Sequence, residues 1–110
     1  MNCYEHTVII KQDCSEKQQK ELIDKYEGII NNNSGKIVRT EKWGFLNFSN
    51  PIKKNKKGFY VHIKFEGEGK VVKELENIER IDNSLIRFLT VKVKKFDLEV
   101  NYFEKKDKQN

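Results

Sequence analysis

The 110-residue chain has no alanine, one proline, two cysteines and a single tryptophan. One proline and six glycines leave no Pro/Gly-rich linker to separate two domains. Two cysteines, Cys3 and Cys14, are too few for a disulfide framework and are expected to remain thiols in a reducing compartment. No run approaches the roughly 18 consecutive apolar residues of a transmembrane helix, so no membrane is expected among its partners. The opening Met1-Asn2-Cys3-Tyr4-Glu5 shows no basic stretch leading into an apolar one, which argues against a secretory signal and for a cytoplasmic location.

What is present is one foldable domain with an uneven charge. The length suits a single core and two packed layers. Hydrophobic residues make up 36% of the chain, and lysine and arginine number 22 against 17 acids, for a net charge of +5. That balance favours a polyanionic partner without specifying a fold. A lysine-rich composition can also follow from an AT-rich genome.

Hydrophobic periodicity gives the element order. Tyr4 to Lys11 alternates as a strand, with Tyr4, His6, Val8 and Ile10 on one face and Glu5, Thr7 and Ile9 on the other. Ser15 and Gln18 form a capping box ahead of a helix over 16–31, whose stripe is Leu22, Ile23, Tyr26, Ile29 and Ile30. Asn31 to Gly35 ends it, because Asn and Gly tolerate left-handed dihedrals. A second strand runs from Lys36 to Asn47 with a bulge or bend expected near Gly44. Ser49 to Ile52 is expected to leave the strand, and Lys53 to Gly58 to form a basic loop. Phe59, Val61, Ile63 and Phe65 alternate with Tyr60, His62, Lys64 and Glu66 in a third strand. Val71, Leu75 and Ile78 mark a second helix over 69–80. Leu85 to Val93 is a fourth strand, so poor in polar residues that a central position is expected. Residues 1–97 would be the domain and 98–110 a charged tail.

The order β-α-β-β-α-β predicts an α+β fold of the ferredoxin-like split β-α-β type, a four-stranded antiparallel sheet with both helices on one face. That fold serves enzymes, sensors and RNA binders alike, so function must come from a site. No catalytic constellation is visible: there is no phosphate-binding glycine loop, no CxxC and no plausible Ser-His-Asp set. No enzyme activity, cofactor or small-molecule substrate is expected. Cys3, His6, Cys14 and His62 are the metal candidates, but alternation puts the two histidines on opposite faces of the sheet, so no metal site is expected.

Charge is segregated. Residues 36–57 carry a net +6, more than the whole chain's +5, whereas residues 68–82 carry −2. This is the pattern of a protein that meets a phosphate backbone on one side, or of a solvated hairpin that resists edge aggregation. Lys57 to Ile63 is similar to the third-strand aromatic motif of RNA-recognition domains. Here Tyr60 directly follows Phe59, so Phe59 should enter the core and leave Tyr60 alone on the open face beside His62, a poor stacking platform.

Ordered pieces of the chain resemble one family, the bacterial small-subunit ribosomal protein S6. They are Tyr4-Glu5, Gly35-Lys36-Ile37, Trp43-Gly44, Pro51-Ile52 with a basic residue following, Lys57, Tyr60-Val61, Glu74-Leu75-Glu76, Arg80 and Ile86-Arg87, spread over roughly residues 3–96. The chain departs from the family's pattern at Leu46, Phe48 and Asn50, where the family usually has a basic residue, Leu and Tyr. The resemblance implies a non-enzymatic component of the small ribosomal subunit that pairs with ribosomal protein S18 and binds the central domain of 16S ribosomal RNA on the platform. The alternative is a free-standing domain of the same fold that binds single-stranded RNA or senses a small molecule.

On that resemblance, Arg39, Lys53, Lys54, Lys56, Lys57, Arg80 and Arg87 are the candidate RNA contacts. The lysines act as point charges that position the protein, and the arginines offer a fork suited to bidentate phosphate binding. Arg87 could instead be ion-paired with Glu76 or Glu79. Trp43, Tyr60, Tyr102 and Phe103 are the candidate contacts for a protein partner. Trp43 suits packing within the hairpin better than a ligand contact, because aromatic residues fit half-buried strands, and the tail around Val100, Tyr102 and Phe103 could dock on a partner or be disordered.

Overall fold

A computed structural model describes residues 2–52 and 55–96. The elements are β1 (Asn2–Lys11), α1 (Glu16–Asn32), β2 (Lys36–Ile52), β3 (Asn55–Gly67), α2 (Gly69–Arg80) and β4 (Leu85–Val93). The strands form one sheet in the order β2-β3-β1-β4, every pairing antiparallel. The expected split β-α-β architecture is the one observed.

Register decides which side chains meet. Tyr4, His6, Val8 and Ile10 of β1 lie opposite Phe65, Ile63, Val61 and Phe59 of β3. Directly opposed residues share a face, so these eight build the floor of the core. Ile23, Tyr26 and Ile30 of α1 and Val71 and Leu75 of α2 pack onto it in one cluster, with Val8, Ile63, Tyr26 and Leu75 wholly buried. Each buried aliphatic side chain there contributes about 1.5–3 kcal/mol relative to exposure.

Local sequence accounts for the helix ends. Ser15 accepts from the Gln18 backbone N–H at 3.2 Å, and the Gln18 side chain accepts from the Ser15 N–H at 2.8 Å, completing the capping box. At the other end the left-handed residue is Ser34, at φ 65°, rather than an asparagine or the glycine. Gly35 is needed for a different reason: its N–H bonds the Ile30 carbonyl at 2.8 Å, and a Cβ would stand 2.8 Å from that oxygen. The bulge expected near Gly44 is present. Lys42 faces Val61 and Gly44 faces Tyr60, so Trp43 is the extra residue and Gly44 takes φ 89°.

Three expectations need correction. β2 does not end near Asn47; it continues to Ile52, and β3 starts at Asn55, with Asn47 paired to Lys57 and Ile52 to Asn55. Lys56, Lys57 and Gly58 are therefore strand residues, and Pro51 is accommodated because β2 is an edge strand, where a missing donor costs little. β4 is the opposite edge strand rather than a central one. Its apolar content reflects the two surfaces it serves: Leu85 joins the core, while Leu89 and Val91 are exposed. Tyr60 is also not isolated. The Phe48 ring lies 6.3 Å from it, and Trp43 stacks on His62 at 4.9 Å with 14° between the planes.

Candidate nucleic-acid interface

The β2–β3 hairpin overhangs the sheet. β1 ends at Lys11, opposite Gly58, so the hairpin beyond Gly58 has no β1 neighbour. Gly58 allows the crossing to be tight: a Cβ there would collide with Ile9 Cγ2 and lie 3.1 Å from Phe48. Lys56 and Lys57 project from this arm into solvent. The Lys57 ammonium sits 5.6 Å above the half-exposed Phe45 ring, a cation–π contact that leaves the charge accessible.

Against Asn55, next to the turn of the hairpin, is a cavity of about 580 Å³ whose lining brings Lys11, Arg80 and Arg87 together with Asp13, Glu79 and Asp82. Arg80 closes the last turn of α2, and Arg87 stands on β4 opposite Ile9. Both are exposed. Arg80 has a 3.4 Å contact with Asn77. Glu79, the partner considered for Arg87, is instead committed to His6. The fold thus brings Arg80 and Arg87, far apart in the chain from the lysines, to the hairpin's end of the sheet. It adds Lys11, which no motif singled out because a lone lysine at a strand end carries no pattern.

Arg39 does not join them. It pairs with Lys64, six residues along β3 from Gly58, or roughly 20 Å at strand rise. Its guanidinium is 3.7 Å from Glu41. Lys53, Lys54, Tyr102 and Phe103 lie outside the described residues.

The open face around Arg39 carries a charged network. Lys64 Nζ donates to Glu41 Oε2 at 2.8 Å, and Trp43 Nε1 donates to Glu41 Oε1 at 2.9 Å. Burial pushes the Glu41 carboxyl up, but the bonds from Lys64 and Trp43 outweigh it and hold the group below its ordinary value. His62 lies between Glu5 Oε1, at 2.9 Å from Nε2, and Thr7 Oγ1, at 2.8 Å from Nδ1. Burial lowers its pKa more than Glu5 raises it, so the ring is neutral at pH 7. The neutral ring fits both contacts, with Nε2–H donating to Glu5 and Nδ1 accepting from Thr7.

His6 lies on the other face, as expected, fully buried with Glu79 Oε2 at 2.6 Å and Thr90 Oγ1 at 2.6 Å. Burial pushes Glu79 up, against the pull of His6. Cys3 and Cys14 are free thiols, and burial raises the Cys14 pKa. The four metal candidates are thus dispersed, each histidine being held by its own protein partners.

A four-stranded antiparallel sheet in the order β2-β3-β1-β4 with two helices, and a buried charge network on its open face, defines an α+β domain of the ferredoxin-like split β-α-β class. Comparison with known proteins places it further. The sequence profile of the family described as Ribosomal protein S6 matches residues 3–92. The small ribosomal subunit protein bS6 of Pelagibacter ubique is 56% identical over 107 residues, which are 97% of this chain and 88% of that protein. The bS6 of Caulobacter vibrioides is 38% identical over 101 residues, 92% of this chain and 80% of its own length. The crystal structure of 30S ribosomal protein S6 from Thermotoga maritima superposes with a TM-score of 0.80 at 32% identity, covering 99% of this chain and 98% of that one. The chain belongs to the ribosomal protein S6 family, a family of small-subunit ribosomal proteins.

Proposed function

We propose that this chain binds the central domain of 16S ribosomal RNA as one half of a pair with ribosomal protein S18, and that its basic end is the RNA-facing surface. The observation that carries this reading is the convergence of Lys11, Arg80 and Arg87 around one cavity at the end of the sheet from which the hairpin carrying the exposed Lys56 and Lys57 projects. Lysine ammoniums on the projecting arm screen phosphates and set register, and the arginine forks of α2 and β4 grip phosphate oxygens bidentately. Lys53 and Lys54, by their place between β2 and β3, extend the same basic run. A surface of this size, without a broad stacking platform, supports weak binding alone, so S18 supplies the remaining charge and contact area. Trp43 and Tyr60, half-buried on the open face, are the described residues offered to that partner.

The test is RNA affinity of the pair with Arg80 and Arg87 both changed to Gln. Each lost contact should weaken binding and reduce the steepness of the log-affinity against log-salt line by about 0.7–0.9. Unchanged affinity and slope would remove these residues from the interface. Tight binding by the isolated chain at physiological salt would favour the free-standing RNA-binding reading instead.

A further inference from the structure

The cavity at the end of the sheet has a lining that phosphate alone does not explain. A site for bare phosphate gathers positive charge, yet Lys11, Arg80 and Arg87 share this lining with Asp13, Glu79 and Asp82. It also has an apolar side, made by the buried Leu85 and the half-buried Phe88. Its volume of about 580 Å³ falls within the range of small-ligand pockets, roughly 300–1,000 Å³. A duplex presents a convex backbone and fills no such hollow. An unpaired nucleotide, with one anionic, one polar and one aromatic part, does.

Two of the three acids are already engaged. Glu79 Oε2 is held by His6 at 2.6 Å. The Asp82 oxygens accept from the Tyr26 hydroxyl and the Ser84 backbone N–H. Asp13 is different: it is exposed, follows the end of β1, and makes no hydrogen bond or ion pair among the described residues. An ionised carboxylate only accepts hydrogen bonds, so Asp13 selects a base edge that carries a donor. Cytosine presents its N4 amino group, which pairs with Asp or Glu, where uracil presents a carbonyl oxygen. On the other walls Phe88 offers an apolar surface for the base, and the two guanidiniums offer paired donors for its phosphate.

We propose that this cavity takes one unpaired nucleotide of a single-stranded RNA segment, with its phosphate on Lys11, Arg80 and Arg87, its base against Phe88 and a donor-bearing base edge on Asp13. The inference rests on the reading of this end of the sheet as RNA-facing. It adds a preference among bases, at a place where a duplex does not enter.

NMR titration of the full chain at low salt tests it. Tetracytidylate should shift the amide resonances of Asp13, Asn83, Arg87 and Phe88. It should bind about tenfold more tightly than tetrauridylate, the worth of one hydrogen bond to a charged group. In Asp13→Asn that ratio should fall to near one, because an amide donates as well as accepts; the ratio cancels the change in net charge. Equal responses to both tetramers and to an RNA duplex would make the cavity an ordinary phosphate surface and overturn the proposal. So would no response at the cavity to any strand, or a preference for tetracytidylate that survives in Asp13→Asn. Free cytidine monophosphate binding as tightly as the tetramer would assign the site to a small nucleotide rather than to RNA, and overturn it too. Binding of 16S RNA by the pair with S18 fails separately, by unchanged affinity and salt slope when Arg80 and Arg87 are both changed to Gln.

Discussion

The Tyr26 hydroxyl donates to Asp82 Oδ2 at 2.6 Å, tying α1 to the turn between α2 and β4 across 56 residues. The same carboxylate accepts from the Ser84 backbone N–H at 2.9 Å and lies 3.8 Å from Lys25. Burial alone would raise the Asp82 pKa. The Tyr26 hydroxyl, Ser84 and Lys25 reverse this and leave it below its ordinary value, while burial and the carboxylate push the Tyr26 phenol up. The turn so held separates Arg80 from Arg87, which makes this bond a support for the basic end.

Tyr26→Phe should therefore cost about 1.5–3 kcal/mol, the range for a hydrogen bond to a charged group. It should also change the acid response. Asp82 has a depressed folded pKa, so its contribution is present above the unfolded value near 3.8 and is lost as pH falls through the folded value. Urea titrations at several pH values should show a shallower acid loss in the variant. An identical acid profile would mean that Tyr26 does not hold the Asp82 charge.

The His6–Glu79 pair is wholly buried, and Glu79 Oε1 is left without a hydrogen-bond partner among the described residues. Removing one member strands the other. Glu79→Ala should cost about 3–5 kcal/mol in denaturant unfolding. His6→Leu with Glu79→Leu should lose far less, because the paired removal strands no buried charge and leaves only the part-buried Thr90 hydroxyl without its histidine partner. A double variant as unstable as Glu79→Ala would show that packing, rather than pairing, is at stake.

His62 gives a second pH dependence. Its folded pKa is depressed from 6.5 mainly by burial. As pH falls below about 6.5 the unfolded chain takes up a proton that the folded chain refuses, so stability falls with pH until the folded value is reached. His62→Gln should flatten the stability profile in that window. Histidine proton NMR titration provides the direct check, with His62 titrating below the ordinary value.

On the hairpin, Lys53, Lys54, Lys56 and Lys57 changed together to Gln should leave melting nearly unchanged. The described pair is exposed, and the Lys57–Phe45 contact is worth about 0.5–1 kcal/mol. RNA binding by the pair with S18 should weaken, and its salt slope should flatten by about one to three units. Parental affinity and slope would reduce the lysines to a solubilising surface.

The elements, the capping box, the bulge at Gly44 and the opposite faces of His6 and His62 were legible in the chain, because periodicity and capping are local properties. Strand order and hairpin length were not. Apolar content suggested a central β4, but lateral position depends on which strands pair, and Pro51 marked a false end for β2 because an edge strand accepts proline. The basic run at 53–57 could be read directly. The meeting of Lys11, Arg80 and Arg87 around one cavity could not, since those residues come from β1, α2 and β4 and are brought together only by the folded sheet. The Lys64–Glu41 and His62–Glu5 contacts were likewise decided by tertiary structure: alternation places each residue on the open face, but only register and burial determine which charge stands beside which.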